Sequence, residues 1–340
     1  MFDETRLDDP EALASVDDDL REIAGWGAQV RLANGAADAA LGTLPGRVGP
    51  RPRAVVAAGP DGRLLRTVLE RVCPVPFVAW PHAGLPGWAG PLDLVVVVSA
   101  RGAGSPDDEA TVAHAVHRGC DLLVSCPVDS PLAATAAGAG LLLPAGSLDP
   151  LALSVPVLAA LHTMGLGPEV GAEPVAVALD DVAQQCGPDV TVDANPAKEL
   201  SLVLADHVPL LWGGSPLASR AARRVAEHVR VATGMPAVAG TVEQIEPLLA
   251  SAPEHDIFAD PFDDTGDAAL SAAPPALVFL DDADPASRDG QERLEAAARA
   301  RAVRTHTVAA EAGPDVARFA TLLAVGRFTA AYLTVGRAEA

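Results

Sequence analysis

Short apolar runs alternate with segments of helical periodicity along the first half of this sequence. The runs contain no polar alternation, which is typical of strands that are buried on both faces of a parallel sheet. They cover residues 54–59, 75–80, 92–99, 122–125 and 140–143, with predicted helices at 62–72, 110–117 and 132–137. This order of elements predicts an open, doubly wound α/β domain.

The same rhythm returns after a helical middle segment, residues 151–164, which we expect to be interrupted or kinked at Pro156. Further strands are predicted at 208–212, 237–238, 276–280 and 306–308, and helices at 182–186, 198–204, 216–233, 289–301 and 317–333. Apolar positions at helical spacing predict a leading helix within residues 8–30. We therefore predict an N-terminal helical segment at 1–45 and two α/β domains at 46–165 and 166–340, with a helix at the end of the chain.

The charge balance excludes several classes of partner. The chain has 24 basic and 45 acidic residues, a formal net charge of −21. Binding to nucleic acid depends on Lys and Arg that neutralise phosphates, so we expect none, and an anionic membrane would repel the protein. No uninterrupted apolar run reaches the roughly 18 residues of a membrane span, and the first residues lack the pattern of a signal peptide. We therefore expect a cytoplasmic protein.

Cysteine spacing and acidic residues give no sign of a metal site. The four cysteines form no CxxC pair, so reduced, buried thiols are expected. The acidic stretch 253–275 lacks the calcium-loop pattern and is predicted to be an exposed loop. No GxGxxG motif is present, which argues against a dinucleotide site. We expect no metal and no cofactor, and Lys198 is the one lysine available for any chemistry that needs one.

Glycine-rich loops that follow predicted strands are the candidate binding sites. The first contains Gly59 and Gly62, and the second runs from Ser99 to Ser105. Main-chain N–H groups at such a loop can hold a phosphate, and Arg101 could add a bidentate contact. An ordinary turn or a solvated loop remains the alternative for each. The candidate ligand-binding residues are Gly59, Gly62, Ser99, Arg101, Gly102 and Ser105, and a third loop at residues 213–215 occupies the equivalent place in the second domain.

Several stretches resemble the bifunctional phosphoglucose/phosphomannose isomerases, which are built from two sugar isomerase (SIS) domains. The matching stretches are residues 7–13, 85–86, 195–200 (NPAKEL), 222–224 (ARR) and 236–237. The resemblance covers nearly the whole chain. It implies two SIS-type doubly wound domains, a homodimer, and a phosphorylated hexose as ligand, with interconversion of aldose and ketose phosphates through a cis-enediol.

The sequence departs from that family at the positions that carry its chemistry. The phosphate loop SYSGNTEET corresponds to Ser99–Ser105, in which the second serine is Arg101. The family's NEN segment, whose glutamate is the base, aligns with residues 230–232, so Val231 stands at the base. The arginine of a proline-arginine pair, the ring-opening histidine and a lysine-bearing tail also lack counterparts. Substitute catalytic groups are limited to Glu227, His228 and His255.

These departures lead us to expect a sugar-phosphate binding protein whose catalytic residues are lost. Two alternatives stay open. The first is a divergent aldose–ketose isomerase acting on glucose 6-phosphate or mannose 6-phosphate, and the second is a dimeric scaffold with vestigial sites.

Overall fold

A computed structural model of the protein describes residues 2–60, 62–100, 105–252, 273–310 and 313–337. The chain divides into two compact units. The first unit comprises Gly25–Ala178 with Gly313–Ala317, and the second comprises Met1–Ala24, Leu179–Ala312 and Arg318–Ala340. The sequence-based boundaries group residues 1–45 as one segment, whereas the contacts divide that segment between the two units.

The first unit is built on a five-stranded parallel sheet of order β2-β1-β3-β4-β5. Its strands are β1 (Ala54–Ala58), β2 (Phe77–Trp80), β3 (Asp93–Val98), β4 (Asp121–Cys126) and β5 (Gly140–Pro144). β1 is buried along its whole length and so is β3, as their unbroken apolar sequences predict.

The helices of the first unit, like the strands, lie close to their predicted positions, except α3, of which only the first residues lie within the predicted leading helix at 8–30. They are α3 (Trp26–Thr43), α4 (Gly62–Leu69), α5 (Pro106–His117), α6 (Pro131–Ala136) and α7 (Pro150–Thr163). α5 and α6 cover one face of the sheet, and α4 and α7 lie on the other. α7 runs without a break from Pro150 to Thr163, so the interruption expected at Pro156 does not occur.

The second unit contains a four-stranded parallel sheet of order β7-β6-β8-β9. The strands are β6 (Val208–Trp212), β7 (Val238–Ala239), β8 (Pro275–Asp281) and β9 (Arg304–Ala309). Its helices include α1 (Pro10–Leu13), α2 (Asp17–Ala24), α9 (Pro196–Leu204), α10 (Pro216–Thr233), α11 (Val242–Ala250) and α12 (Arg288–Ala300), while α8 (Ala172–Cys186) and α13 (Asp315–Arg337) begin in residues of the first unit. The predicted leading helix is thus divided into α1, α2 and α3, and α11 was not predicted. The doubly wound α/β fold class is confirmed.

Helix α13 is long and apolar enough to cross a membrane by length and composition, with a mean hydropathy of 1.3 over its best window. Arg318 and Arg327 interrupt its apolar sequence, so α13 contains no uninterrupted apolar run of about 18 residues. In the fold, 83% of that window is buried. Gly326 lies against Val225 of α10, so closely that a Cβ on the glycine would be 2.3 Å from the valine side chain. α13 is accordingly a core helix of the second unit.

Candidate functional site

The carboxyl ends of β1 and β3 bring together the loops that the sequence singled out. β2 lies on one side of β1 and β3 on the other, so the order of the strands reverses between β1 and β3. Ligands of open α/β sheets bind in the crevice at the carboxyl ends of two such strands. Gly59 directly follows β1 with φ +85°, a conformation that favours glycine, and the buried Ser99 directly follows β3. Gly62 begins α4, where a Cβ would lie 3.0 Å from the main chain of Ala57.

Ser105 begins the helix that follows this crevice. It is the N-cap of α5, and its Oγ accepts a hydrogen bond from the N–H of Asp108 at 3.1 Å. The structure thus places Gly59, Gly62, Ser99 and Ser105 around one end of the sheet. Arg101 and Gly102, the other two predicted binding residues, lie outside the described residues.

Asp108 is a residue of this site that the sequence analysis missed. It is 4% exposed, one carboxylate oxygen accepts a hydrogen bond from Ser99 Oγ at 3.1 Å, and the other lies 3.0 Å from where a Cβ on Gly59 would be. Asp108 therefore links the end of β1, the end of β3 and the start of α5. The available signal was the acidic run that follows Ser105-Pro106, but the helix was predicted to begin only at residue 110.

A serine–carboxylate pair also spans the corresponding crevice of the second sheet, between β6 and β8. Ser215 is the N-cap of α10, and its Oγ donates to Asp282 Oδ2 at 2.6 Å. Both residues are 3% exposed. Gly213 and Gly214 leave no room for a Cβ, because Ala218 and Ser287 lie against them. The main chain at Gly213 and Gly214 is therefore covered by the protein's own groups.

Two of the three candidate catalytic residues, Glu227 and His228, lie on α10, and both have lowered pKa values. Partial burial by itself raises the pKa of Glu227, but the hydrogen bond and charge of Arg224 outweigh burial and hold that pKa below its ordinary value. Burial lowers the pKa of His228 to about 3, with a further contribution from the charges of Arg327 and Arg224. The third candidate, His255, lies outside the described residues.

The position at which the family resemblance places the catalytic base is at the surface. Val231 is 78% exposed on the last turns of α10. Its neighbour Arg230 donates a hydrogen bond from Nη1 to the main-chain oxygen of Ala237. Neither side chain can abstract a proton.

Lys198, the single lysine, is held by hydrogen bonds within the protein. It is fully buried, and its Nζ donates to Asp8 Oδ1 at 2.8 Å and to the main-chain oxygens of Pro188 and Val190 at 2.9 and 2.7 Å. Asn195, in the same NPAKEL segment, caps α9 by accepting from two main-chain N–H groups. This segment therefore fastens residues 8 and 188–190 to α9.

Two clefts of the second unit have linings that do not suit an anion. One, of about 490 Å³, lies at the end of β8 and is lined by four carboxylates and a single arginine, Arg288. The other, of about 430 Å³, is lined by Asp8, Asp17 and Asp189 among apolar residues. Within the described ranges, no group of three or more His, Cys, Asp or Glu residues could hold a metal ion.

Residues 193–338 match the family model of the bacterial phosphoglucose isomerase C-terminal SIS domain. A sequence comparison with curated proteins gives no significant match. The sequence match therefore concerns the second half of the chain, from the 3-10 turn before α9 to the end of α13.

Solved structures match over most of the chain at low sequence identity. The C-terminal domain of glucosamine-fructose-6-phosphate aminotransferase from Francisella tularensis has a TM-score of 0.65 and 12% identity, covering 93% of this chain and 95% of that one. A glucose-6-phosphate isomerase like protein from Thermus thermophilus has a TM-score of 0.51 and 19% identity, with coverage of 89% and 90%. A glucose-6-phosphate isomerase from Chlamydia trachomatis has a TM-score of 0.56 and 12% identity, covering 95% of this chain and 70% of that one. These comparisons establish a SIS-type doubly wound fold, with a second half similar to the C-terminal SIS domain of bacterial phosphoglucose isomerases.

Proposed function

We propose that this chain is a tandem-SIS, cytoplasmic, homodimeric protein that binds a phosphorylated hexose at the carboxyl end of its first sheet. The observation that carries the proposal is the meeting of Gly59, Ser99 and Ser105 where β1 and β3 end. Small residues there allow close approach of a ligand to the main chain, and Ser105 begins a helix whose N-terminus favours an anion. Arg101 and Gly102 complete the proposed binding loop from outside the described residues.

The acidic first turn of α5 is compatible with this proposal. The phosphate loop of the resembling family, SYSGNTEET, carries two glutamates after its threonine. With Ser105 in place of that threonine, the two glutamates align with Pro106 and Asp107. Asp107 thus matches an acid of the family loop, whereas Asp108 does not.

We further propose that isomerase catalysis is lost. A general base works best when its pKa is near the operating pH, and catalysis of this kind contributes roughly 10²–10⁴ in rate. Glu227 has a lowered pKa and an arginine partner, and the pKa of His228 is about 3. With Val231 at the position of the family's base, no described residue of α10 replaces that base.

Binding is tested by calorimetric titration and thermal unfolding with glucose 6-phosphate, mannose 6-phosphate and fructose 6-phosphate, with glucose as the unphosphorylated control. At 100 times Kd a ligand stabilises the folded protein by about 2.7 kcal/mol. We expect Arg101→Ala to weaken binding about tenfold, the value of a charged hydrogen bond. Arg66→Ala is the matched control, because Arg66 is an exposed arginine paired with Glu70 on α4.

Three outcomes separate the candidate functions. Stabilisation by the phosphorylated sugars but not by glucose, without turnover in a coupled isomerase assay, supports the binding protein. Turnover that Glu227→Gln abolishes would instead establish the divergent isomerase. If none of the sugar phosphates binds, the binding function is wrong and the dimeric scaffold is the surviving explanation.

A further inference from the structure

The solvent side of helix α10 carries arginines in an otherwise acidic protein. Residues three or four positions apart share one face of a helix, and the apolar residues of α10 are buried on the opposite face. The outward residues form what we term the arginine stripe: Arg220, Arg223, Arg224, Glu227, Arg230 and Val231. Four positive charges stand there against one negative charge, whereas the chain as a whole has a net charge of −21.

Little within the helix neutralises this positive charge. Glu227 pairs with Arg224, with 2.9 Å between Oε2 and Nη1. Arg223 is exposed, and within the described ranges its side chain has no hydrogen bond or ion pair. Arg230 donates from Nη1 to a main-chain oxygen, a neutral acceptor that leaves the guanidinium charge in place. The stripe therefore keeps an excess of positive charge that faces solvent.

A further arginine lies near the stripe. Burial is the main cause that lowers the pKa of His228 to about 3, and the charges of Arg327 and Arg224 contribute to the lowering. Arg327 belongs to α13, so two helices bring positive charge to this part of the second unit. The summed charge attracts an anionic partner more strongly than one helix alone would.

The length and composition of the stripe indicate the kind of partner. From Arg220 to Arg230 the helix rises about 15 Å, so several anionic groups must lie within a short span. Val231 at the end of the stripe is 78% exposed and offers an apolar contact. A second copy that met the same face would bring two stripes together, and like charges repel. Nucleic acid or an anionic membrane would extend beyond the stripe, where the rest of the chain is strongly acidic.

We propose that the arginine stripe is a docking surface for a short acidic segment of another protein. The carboxylates of the segment bind along the arginines, and an apolar residue of the segment covers Val231. This surface belongs to the second unit and goes beyond the hexose-phosphate binding proposed for the first unit.

Fluorescence anisotropy of a labelled octaglutamate peptide with a terminal leucine tests the proposal on the full chain. We expect Arg223→Glu to weaken binding about tenfold, because it replaces an exposed attraction by a repulsion. Arg299→Glu is the matched control, since it makes the same change of charge at an exposed arginine of α12, and it should alter the affinity less than about twofold. Added salt should weaken the binding of the peptide.

Glu227→Gln gives the opposite sign. It removes the one carboxylate of the stripe and releases Arg224 for the peptide, so we expect binding to tighten about threefold. A stripe whose only role is to stabilise α10 would show no such gain. Absence of peptide binding to the wild type, or equal weakening by Arg223→Glu and Arg299→Glu, overturns the proposal.

Val231→Ser separates the apolar contact from the charges. It should weaken binding of the peptide with the leucine about threefold and leave octaglutamate without the leucine unchanged. Equal effects on the two peptides overturn the assignment to an amphipathic protein segment, and so does tighter binding of a single-stranded RNA oligonucleotide at the stripe. The function proposed for the first unit is judged separately, by the titrations with hexose phosphates.

Discussion

Lys198 allows the sharpest prediction about stability. Lys198→Met keeps the length and apolar stem of the side chain and removes its ammonium group. Three hydrogen bonds are lost, to Asp8 and to the carbonyls of Pro188 and Val190, together with the contact to the ring of Tyr332 at 5.3 Å. The variant therefore removes the ammonium link between Asp8 and residues 188–190 and leaves the hydrogen bond from the Val192 N–H to Asp8 Oδ2.

The size of the effect follows from what is left behind. Removing one partner of a buried ion pair costs about 3–5 kcal/mol. The side chain of Asp8 is 44% exposed, so water can solvate its freed carboxylate, and the expected loss is at the lower end, about 3 kcal/mol. For a unit of this size we expect a decrease in Tm of about 6–12 °C.

Thermal unfolding followed by circular dichroism measures the change. Arg21→Met is the matched control, because it also removes one positive charge but from a side chain that is 77% exposed. We expect the control to change the free energy of unfolding by less than about 1 kcal/mol. If Lys198→Met unfolds within about 2 °C of the control, the assignment of Lys198 as a structural tie is wrong.

Three further predictions address packing, pH and thiol reactivity. Gly326→Ala should destabilise the protein by about 1–3 kcal/mol, because the new Cβ would meet Val225. Gly35→Ala, in open space within α3, should stabilise the protein by up to about 1 kcal/mol. Urea unfolding compares the two variants, and equal effects on the free energy of unfolding would contradict the packing. Burial alone would raise the pKa of Asp93, but hydrogen bonds from Arg53 and from main-chain N–H groups lower it. The stability lost in Asp93→Asn should therefore be constant above about pH 5 and shrink as the pH falls below about 4. A loss of stability that is independent of pH would refute this. All four cysteines are free and only Cys73 is not buried, so a thiol reagent should label one cysteine in the folded protein, and labelling of two or more before unfolding would contradict the burial.

Much of the fold could be predicted from the sequence because its strands are nearly pure apolar runs. The unbroken series from Leu94 to Val98 forms a strand buried on both faces, and the prediction placed its ends within one residue. Helix boundaries were less accurate. The start of α5 was predicted four residues late, because its first turn is Pro-Asp-Asp-Glu, whose apolar positions give no periodic signal.

The candidate site could be predicted only in part. Glycines and serines after predicted strands pointed to Gly59, Ser99 and Ser105, since parallel strands place their carboxyl ends at one edge of the sheet. Asp108 was beyond reach, because its partner Ser99 is nine residues away and the contact depends on where α5 packs against the sheet.

The sequence by itself determined the secondary structure pattern, the parallel sheets and the positions of the glycine loops at one edge of the first sheet, because apolar periodicity and glycine placement are local properties. Only the tertiary structure decided which groups meet there. The burial of Lys198, the pairing of Ser215 with Asp282 across two strand ends, and the direction of the Ser99 hydroxyl all depend on residues that are not neighbours in the chain. Hydrogen-bond direction and burial are set by packing in three dimensions, which local patterns do not encode.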